Sequence, residues 1–181
     1  MRDGHRFFRG EVDKYTWQDL GSSLLPGDAT AAFLWAQLEE AQGITARRIA
    51  LWRTYHEMLA SLEHEGLLRR PSVPADCHHD GHIYYVLLAP EIDRGRVLSE
   101  LKSAGVHAVF HYVPLHSSPA GRRFGRTQGD LAITDPLAAR LIRLPMWIGL
   151  SEAQQQRVCD ALEVTAKGQR PAQSKKIGRT F

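Results

Sequence analysis

Three histidines lie close together in one stretch of the chain: His107, His111 and His116. The β-branched and aromatic residues around them predict a strand over residues 106–112, and Pro114 ends its regular pairing. Alternation along this strand places His107 and His111 on one face with Val109. Imidazoles at a strand end before a loop can hydrogen-bond a ligand and titrate near neutral pH. The residues alone favour an ordinary polar strand face, with a ligand site as the alternative.

A second cluster of polar residues is Cys77-His-His-Asp-Gly-His82. These residue types bind zinc, but the cluster lacks the two separated ligand pairs of a structural finger, and the sequence has no His-Glu-x-x-His helix for a catalytic site. We therefore predict no metal site. The alternative that we favour is an exposed turn leading into the next strand, with His82 partly buried at its start.

A third candidate is the run Gly21-Ser22-Ser23, which precedes a turn at Pro26-Gly-Asp28. Hydroxyl groups near the free N–H groups of a helix start suit a phosphate. The run matches neither a Walker loop nor a Gly-x-Gly-x-x-Gly fingerprint, so the residues alone favour an ordinary turn.

The elements around these groups predict a mixed α and β domain. Residues 1–27 show no sustained period and predict an extended arm. Asp28 is the predicted N-cap of a helix that ends near Gly43, and a second helical period runs from Ile49 to a stop at Gly66. Further along, the pattern predicts a strand over 82–88, a helix from Asp93 to Gly105, the strand over 106–112, a loop over 116–133 and helices over 134–143 and 151–165. This order favours an α/β or α+β layer.

The composition is that of an ordinary globular protein. Of 181 residues, 43% are hydrophobic and 24% charged, which is enough for one domain or two small lobes with a core. No apolar run approaches the roughly 18–20 residues needed to cross a bilayer, and the first residues lack the apolar stretch of a secretory signal. We therefore expect a cytoplasmic protein without a membrane partner, whose Cys77 and Cys159 are reduced thiols.

The net charge of +3 comes from the C-terminus. Residues 166–181 contain five basic and no acidic residues, so the remainder of the chain has a charge of −2. Such an end is typical of a solvated, disordered tail, with phosphate binding as the less favoured reading. We expect no nucleic-acid partner, because the body of the chain is not basic.

Four stretches of the sequence together resemble the DegT/DnrJ/EryC1/StrS family of sugar aminotransferases: Phe7–Ser23, Ala31–Leu38, Val109–His116 and Arg143–Pro145. The resemblance covers residues 4 to about 164 and excludes the basic tail. The first stretch is similar to the subgroup that converts dTDP-4-keto-6-deoxyglucose to dTDP-4-amino-4,6-dideoxygalactose with glutamate as donor. That product serves lipopolysaccharide and enterobacterial common antigen biosynthesis.

The resemblance implies the C-terminal half of a fold-type-I enzyme that uses pyridoxal 5'-phosphate. It implies two long helices and a small sheet covered by helices, with residues 1–27 as an arm that reaches a partner subunit and residues 28–165 as the small domain. It also implies that Ser22 and Ser23 contact the cofactor phosphate across a dimer. By the same resemblance, the positions bordering the sugar pocket are His111, Tyr112 and His116.

The family's Schiff-base lysine lies in a Ser-x-His-x-x-Lys motif, which this sequence lacks. Lys14, one of five lysines, lies in the arm that follows the motif in the family. An amine nucleophile is needed to hold the cofactor and to move the proton. We therefore expect the chain to be inactive alone and to need a companion N-terminal half, or to form a homodimer. The alternative is a non-catalytic dimerisation module derived from the family.

Overall fold

The structure is a computed structural model that describes residues 25–170, and the chain divides into two compact units between Ala41 and Gln42. Most of the predicted arm and the tail from residue 171 lie outside the described residues. In the first unit, helix α1 spans Asp28–Glu39, and all its residues are exposed. Its N-cap is Gly27 without a side-chain cap, so the prediction of Asp28 as the cap is wrong. Asp28 is the first helical residue, where a carboxylate still suits the helix dipole.

Helix α2 spans Ala41–Met58 and belongs to the second unit from Gln42 onwards, and the short helix α3, Ala60–His64, follows it. Gly43 lies inside α2, so the predicted helix end near Gly43 is wrong. A single glycine within a helix costs only about 1 kcal/mol relative to alanine, which an 18-residue helix tolerates. The predicted stop at Gly66 is confirmed, since Gly66 follows α3 with a positive φ of 74°.

Four short strands form one antiparallel sheet in the order β1-β2-β4-β3. Their bounds are Leu68–Arg69, Tyr84–Leu88, Val109–Phe110 and Leu141–Leu144 for β1 to β4 in chain order. The strand predicted over 82–88 is present over 84–88, and the strand predicted over 106–112 shrinks to two residues. Strands β1 and β4 were missed, and the end of the helix predicted over 134–143 falls in β4. Runs of two to four residues are too short to show a period, so their partners decide their conformation.

The remaining helices begin and end largely as predicted. Helix α4, Arg94–Ser103, begins at Asp93, whose Oδ1 accepts a hydrogen bond from the Arg96 backbone N–H at 2.6 Å. Helix α7, Glu152–Gly168, begins with the predicted capping box of Ser151 and Gln154. The region predicted as a loop contains a 3₁₀ turn, Leu115–Ser117, and helix α5, Pro119–Phe124. Helix α6, Thr134–Arg140, leads directly into β4.

The core lies between one face of the sheet and helices α2, α4 and α7, which confirms the predicted mixed fold with helices over a small sheet. It contains the predicted inward residues of the second helical period, Trp52, Tyr55, Leu59 and Leu62. Its largest buried side chains from other elements are Tyr84, Leu88, Leu101, Ile142 and Leu162. None of the helices within residues 25–170 is long and apolar enough to cross a membrane.

Two buried polar groups tie distant elements to the core. The Tyr55 hydroxyl donates to the Pro145 carbonyl at 2.8 Å, and the Gln155 amide donates to the Leu51 carbonyl at 2.9 Å. Both predicted thiols are free, with Cys77 exposed and Cys159 buried. Burial raises the pKa of the Cys159 thiol to about 12, which keeps it protonated and unreactive at neutral pH.

Candidate functional site

The candidate site lies on the second face of the sheet, opposite the face that packs against the helices. The strand register places one row of polar and apolar side chains across this face. Arg143 on β4 pairs with Tyr85 on β2 and with Val109 on β3. Tyr85 and Arg143 are half-buried, and Val109 is 46% exposed. His111 lies directly after β3, which ends at Phe110. The strand predicted to carry both His107 and His111 does not extend to either residue, and His107 is exposed.

His111, Tyr112 and Arg143 form one contact group. The His111 ring lies 5.4 Å from the Tyr112 ring in an edge arrangement, and the Arg143 guanidinium lies 5.8 Å from the Tyr112 ring centroid. Tyr112 is 78% exposed, whereas Nδ1 of His111 and Nε of Arg143 are enclosed. A guanidinium at this distance from an aromatic face is held by a cation–π interaction.

His116 lies apart from this group, on the 3₁₀ turn. Its Nε2 lies 3.1 Å from Oδ2 of Asp135 on α6, and its side chain is only 18% exposed. No hydrogen bond or ring contact within residues 25–170 joins His116 to His111 or Tyr112. The structure therefore brings two of the three predicted sugar-pocket residues into contact and fixes the third through a carboxylate 19 residues further along the chain.

A close backbone approach sets the position of the 3₁₀ turn. A Cβ atom on Gly121 would lie 1.5 Å from the Leu115 carbonyl oxygen, so no other residue fits without a shift of the backbone. Ser118 caps helix α5 by accepting from the Gly121 N–H at 3.0 Å. Gly121 and Ser118 therefore hold the segment that presents His116.

The pKa of Asp135 lies below its ordinary value of 3.8, chiefly because the carboxylate is hydrogen-bonded to His116. We expect His116→Ala to raise the pKa of Asp135 toward 3.8, measured by ¹³C NMR of the carboxyl group. A carboxyl whose folded pKa is depressed adds stability above its unfolded pKa, and that stability is lost as the pH falls through the folded pKa. The exposed His107→Ala is the matched control. An unchanged Asp135 titration in His116→Ala would show that the pair does not form.

The Cys77–His82 segment forms structural contacts. Among residues 25–170, no group of three or more His, Cys, Asp or Glu side chains could hold a metal ion. The His82 ring pairs with Asp80 at 2.9 Å and is exposed, so the prediction of a partly buried His82 is wrong. The reason is that β2 begins only at Tyr84, which leaves His82 in the preceding turn. His79 instead packs on Trp52, with ring centroids 4.7 Å apart.

A groove of about 720 Å³ lies beside β1 and was not predicted. Trp52 and His56 stack in its wall with centroids 4.7 Å apart, and burial together with the Arg70 charge lowers the pKa of His56. Arg70 is bound to Glu63 at 2.7 Å and to the His56 carbonyl. Glu63, Arg70 and the His56 carbonyl therefore satisfy one another.

Arg143 is the site residue that sequence reasoning did not assign. It belongs to a stretch that carries the family resemblance, but its neighbours depend on the pairing of β4, which was predicted as helix. A charged residue between apolar ones in Leu-Ile-Arg-Leu144 is the signal that could have drawn attention to it. Ser22 and Ser23 lie outside the described residues, so their contact with a cofactor phosphate stays a prediction.

Neither lysine in residues 25–170 fits covalent attachment of a cofactor. Lys167 is held by Glu163 at 2.7 Å and by Glu65 at 3.0 Å, and these hydrogen bonds raise the pKa of its ammonium group. A charged amine is not a nucleophile. Lys102 is exposed near the end of α4. The described residues therefore do not fit the covalent part of a pyridoxal phosphate site.

Known structures share this fold. The chain is similar to the aminotransferase TlmJ from Streptoalloteichus hindustanus, with 21% identity, a TM-score of 0.70, and coverage of 93% of this chain and 46% of that one. It is also similar to DesV from S. venezuelae, with 27% identity, a TM-score of 0.70, and coverage of 91% and 44%. The fold is thus that of the fold-type-I aminotransferases.

The sequence comparisons define the family. The DegT/DnrJ/EryC1/StrS aminotransferase family matches residues 4–163, and the chain belongs to this family. A curated relative is the dTDP-4-dehydro-2,3,6-trideoxy-D-glucose 4-aminotransferase of Saccharopolyspora spinosa, 30% identical over 147 residues. That alignment covers 81% of this chain and 36% of the relative. The chain thus spans just over a third of the length of this relative.

Proposed function

We propose that this chain is the C-terminal lobe of a sugar-nucleotide aminotransferase whose cofactor-binding lysine is supplied by another segment of polypeptide. The observation that carries the proposal is the family match over residues 4–163 in a chain that spans 44% of DesV. The poor fit of Lys102 and Lys167 supports it. Bound pyridoxal phosphate supplies the electron sink for amino transfer.

The substrate that we propose is dTDP-4-keto-6-deoxyglucose. Glutamate would give its amino group to C4 of the sugar in place of the carbonyl oxygen and become 2-oxoglutarate, and the product would be dTDP-4-amino-4,6-dideoxygalactose. The resemblance of Phe7–Ser23 to that subgroup supports this choice. The product would serve lipopolysaccharide and enterobacterial common antigen biosynthesis. The S. spinosa relative is named for a 4-aminotransferase reaction on another dTDP sugar.

Three described side chains would contact the sugar in this proposal: His111, Tyr112 and His116. The exposed hydroxyl of Tyr112 can donate or accept a hydrogen bond, and the edge contact with His111 orients its ring. His116 would be kept in one orientation by Asp135. Ser22 and Ser23 would contact the cofactor phosphate of a dimer partner.

The inactivity of the isolated chain is directly testable. We expect the purified chain, mixed with pyridoxal phosphate, to show no stoichiometric aldimine band and no selective added mass at one lysine after borohydride reduction. The reason is that Lys167 is held as an ammonium group by Glu163 and Glu65, and the exposed Lys102 would react no more selectively than any surface lysine. Stoichiometric labelling of Lys14, lost in Lys14→Arg but kept in the matched Lys102→Arg, would overturn the proposal.

The proposal of a separate lysine-bearing segment has its own test. An open reading frame upstream of Met1 that encodes Ser-x-His-x-x-Lys is expected. Co-expression of its product with this chain should restore cofactor binding and amino-sugar formation. If that complex forms and binds the cofactor but aminates no sugar nucleotide, the substrate assignment fails.

The second candidate function is a non-catalytic dimerisation or interaction module. It is favoured by the large apolar side chains that are more than 40% exposed between residues 109 and 133: Val109, Phe110, Tyr112, Val113, Leu115, Phe124 and Ile133. Exposed apolar patches of this kind mark interaction sites. Sedimentation of the isolated chain distinguishes the two candidate functions. A chain that is monomeric alone and associates only with the companion segment supports the aminotransferase lobe, whereas a stable dimer of the isolated chain supports the interaction module.

A further inference from the structure

Two enclosed nitrogen atoms beside Tyr112 have no hydrogen-bond partner within residues 25–170. They are Nδ1 of His111 and Nε of Arg143. A buried polar group without a partner costs about 1–3 kcal/mol, and more when it is charged. Native structures therefore rarely keep such groups without a partner, and two beside one tyrosine ring indicate a bound group.

Tyr112 links the two side chains. Val109 pairs with Arg143 in the sheet, and His111 follows two residues later in the chain, just beyond the end of β3. Tyr112 contacts both, at 5.4 Å from the His111 ring and 5.8 Å from the Arg143 guanidinium. The tyrosine ring thus limits where the guanidinium can turn.

No carboxylate within residues 25–170 forms an ion pair with Arg143. Other polar groups in the described part of the chain form close pairs: Arg70 with Glu63, Arg96 with Glu100, and His116 with Asp135. Arg143 has no such ion pair within residues 25–170. A planar guanidinium with free donors matches the two oxygens of a carboxylate or phosphoryl group.

We propose that Arg143 and His111 form an oxyanion-binding subsite for a carboxylate or phosphoryl group of a substrate. Arg143 supplies the charge and the paired N–H donors, and His111 supplies one further hydrogen bond from Nδ1. The cation–π contact with Tyr112 orients the guanidinium before the ligand arrives. The two candidate sources, the glutamate carboxylate and the dTDP diphosphate, rest on the function proposed above.

The test is an NMR titration of the 181-residue chain with glutarate, dTDP or inorganic phosphate, followed at the side-chain nitrogens of His111 and Arg143. We expect a saturable shift at both residues. Saturation with glutarate at lower concentration than with dTDP identifies the amino donor, and the reverse order identifies the nucleotide. No saturable shift with any of the three probes would overturn the proposal.

Variants separate a direct role from a change in folding. Arg143→Ala should weaken binding by about tenfold or more, because a charge-assisted hydrogen bond is lost. Arg143→Lys keeps the charge without the paired donors, so its affinity should lie between that of Arg143→Ala and that of the unmodified chain. The control Arg157→Ala removes the same charge from an exposed position of α7 and should change affinity by less than twofold. Equal affinity in Arg143→Lys, Arg143→Ala and the unmodified chain would refute the subsite.

This titration is independent of the aminotransferase assignment because it needs neither cofactor nor companion segment. Binding that depends on Arg143, together with a complete complex that aminates no sugar, would leave the subsite intact and reject the proposed function. If the complete complex forms the amino sugar equally well with Arg143→Lys and Arg143→Ala, and the chain binds none of the anions, the proposed function stands and the subsite is rejected.

Discussion

Leu162→Ala is expected to lower the free energy of unfolding by about 2–5 kcal/mol. Leu162 lies on α7, is fully buried, and belongs to the core between the helices and the sheet. Truncation removes apolar contacts and leaves a cavity that the sheet and α2 cannot fill without moving. Equilibrium denaturation in urea, followed by circular dichroism, measures the loss.

The control is Val164→Ala on the same helix, where the side chain is 73% exposed. Its expected effect is within about 0.5 kcal/mol, since little apolar area is removed from the core. Because both changes shorten an aliphatic residue within one helix, their difference reports burial. Similar small losses at both positions would mean that α7 does not pack against the sheet as described.

Gly81→Ala should destabilise the chain by about 2–5 kcal/mol through two separate effects. Gly81 has a φ of +61°, which costs a residue with a Cβ about 1–2 kcal/mol. The new Cβ would also lie 2.9 Å from the Arg48 carbonyl carbon and 3.0 Å from the Ile49 nitrogen. These are backbone atoms of α2 and cannot rotate away, so overpacking adds about 1–3 kcal/mol.

Gly66→Ala isolates the first effect. Gly66 has a similar φ of +74°, but a Cβ there would meet nothing within 4 Å. Its loss should therefore be close to the conformational penalty alone. The two variants are compared by urea denaturation, and equal losses would show that the turn at Gly81 does not approach α2. If a Cβ at position 81 pushes against α2, the hydrogen bond from Arg48 to the His82 carbonyl, which is 3.2 Å long in the unmodified chain, should weaken as well.

The sequence correctly predicted those helix ends that depend on interactions between residues close together in the chain. The Asp93 cap, the Gly105 stop and the Ser151 capping box each depend on residues within four positions of one another, and the structure contains all three. The period that begins at Ile49 identified its buried face because one helix repeats its pattern over many residues. Asp28 failed as a cap because a suitable residue type does not decide which residue starts a helix.

Patterns within the sequence were sufficient for the family, the mixed α and β class and the capped helices. The pairing of distant segments was needed to show that Leu141–Leu144 is a central strand, and hence that Arg143 lies between Tyr85 and Val109. The same holds for the pairing of His116 with Asp135. These contacts join residues 19 to 58 positions apart, and no local pattern encodes them. A strand of two to four residues has its conformation set by hydrogen bonds to its neighbours, so its identity emerges only when the sheet assembles.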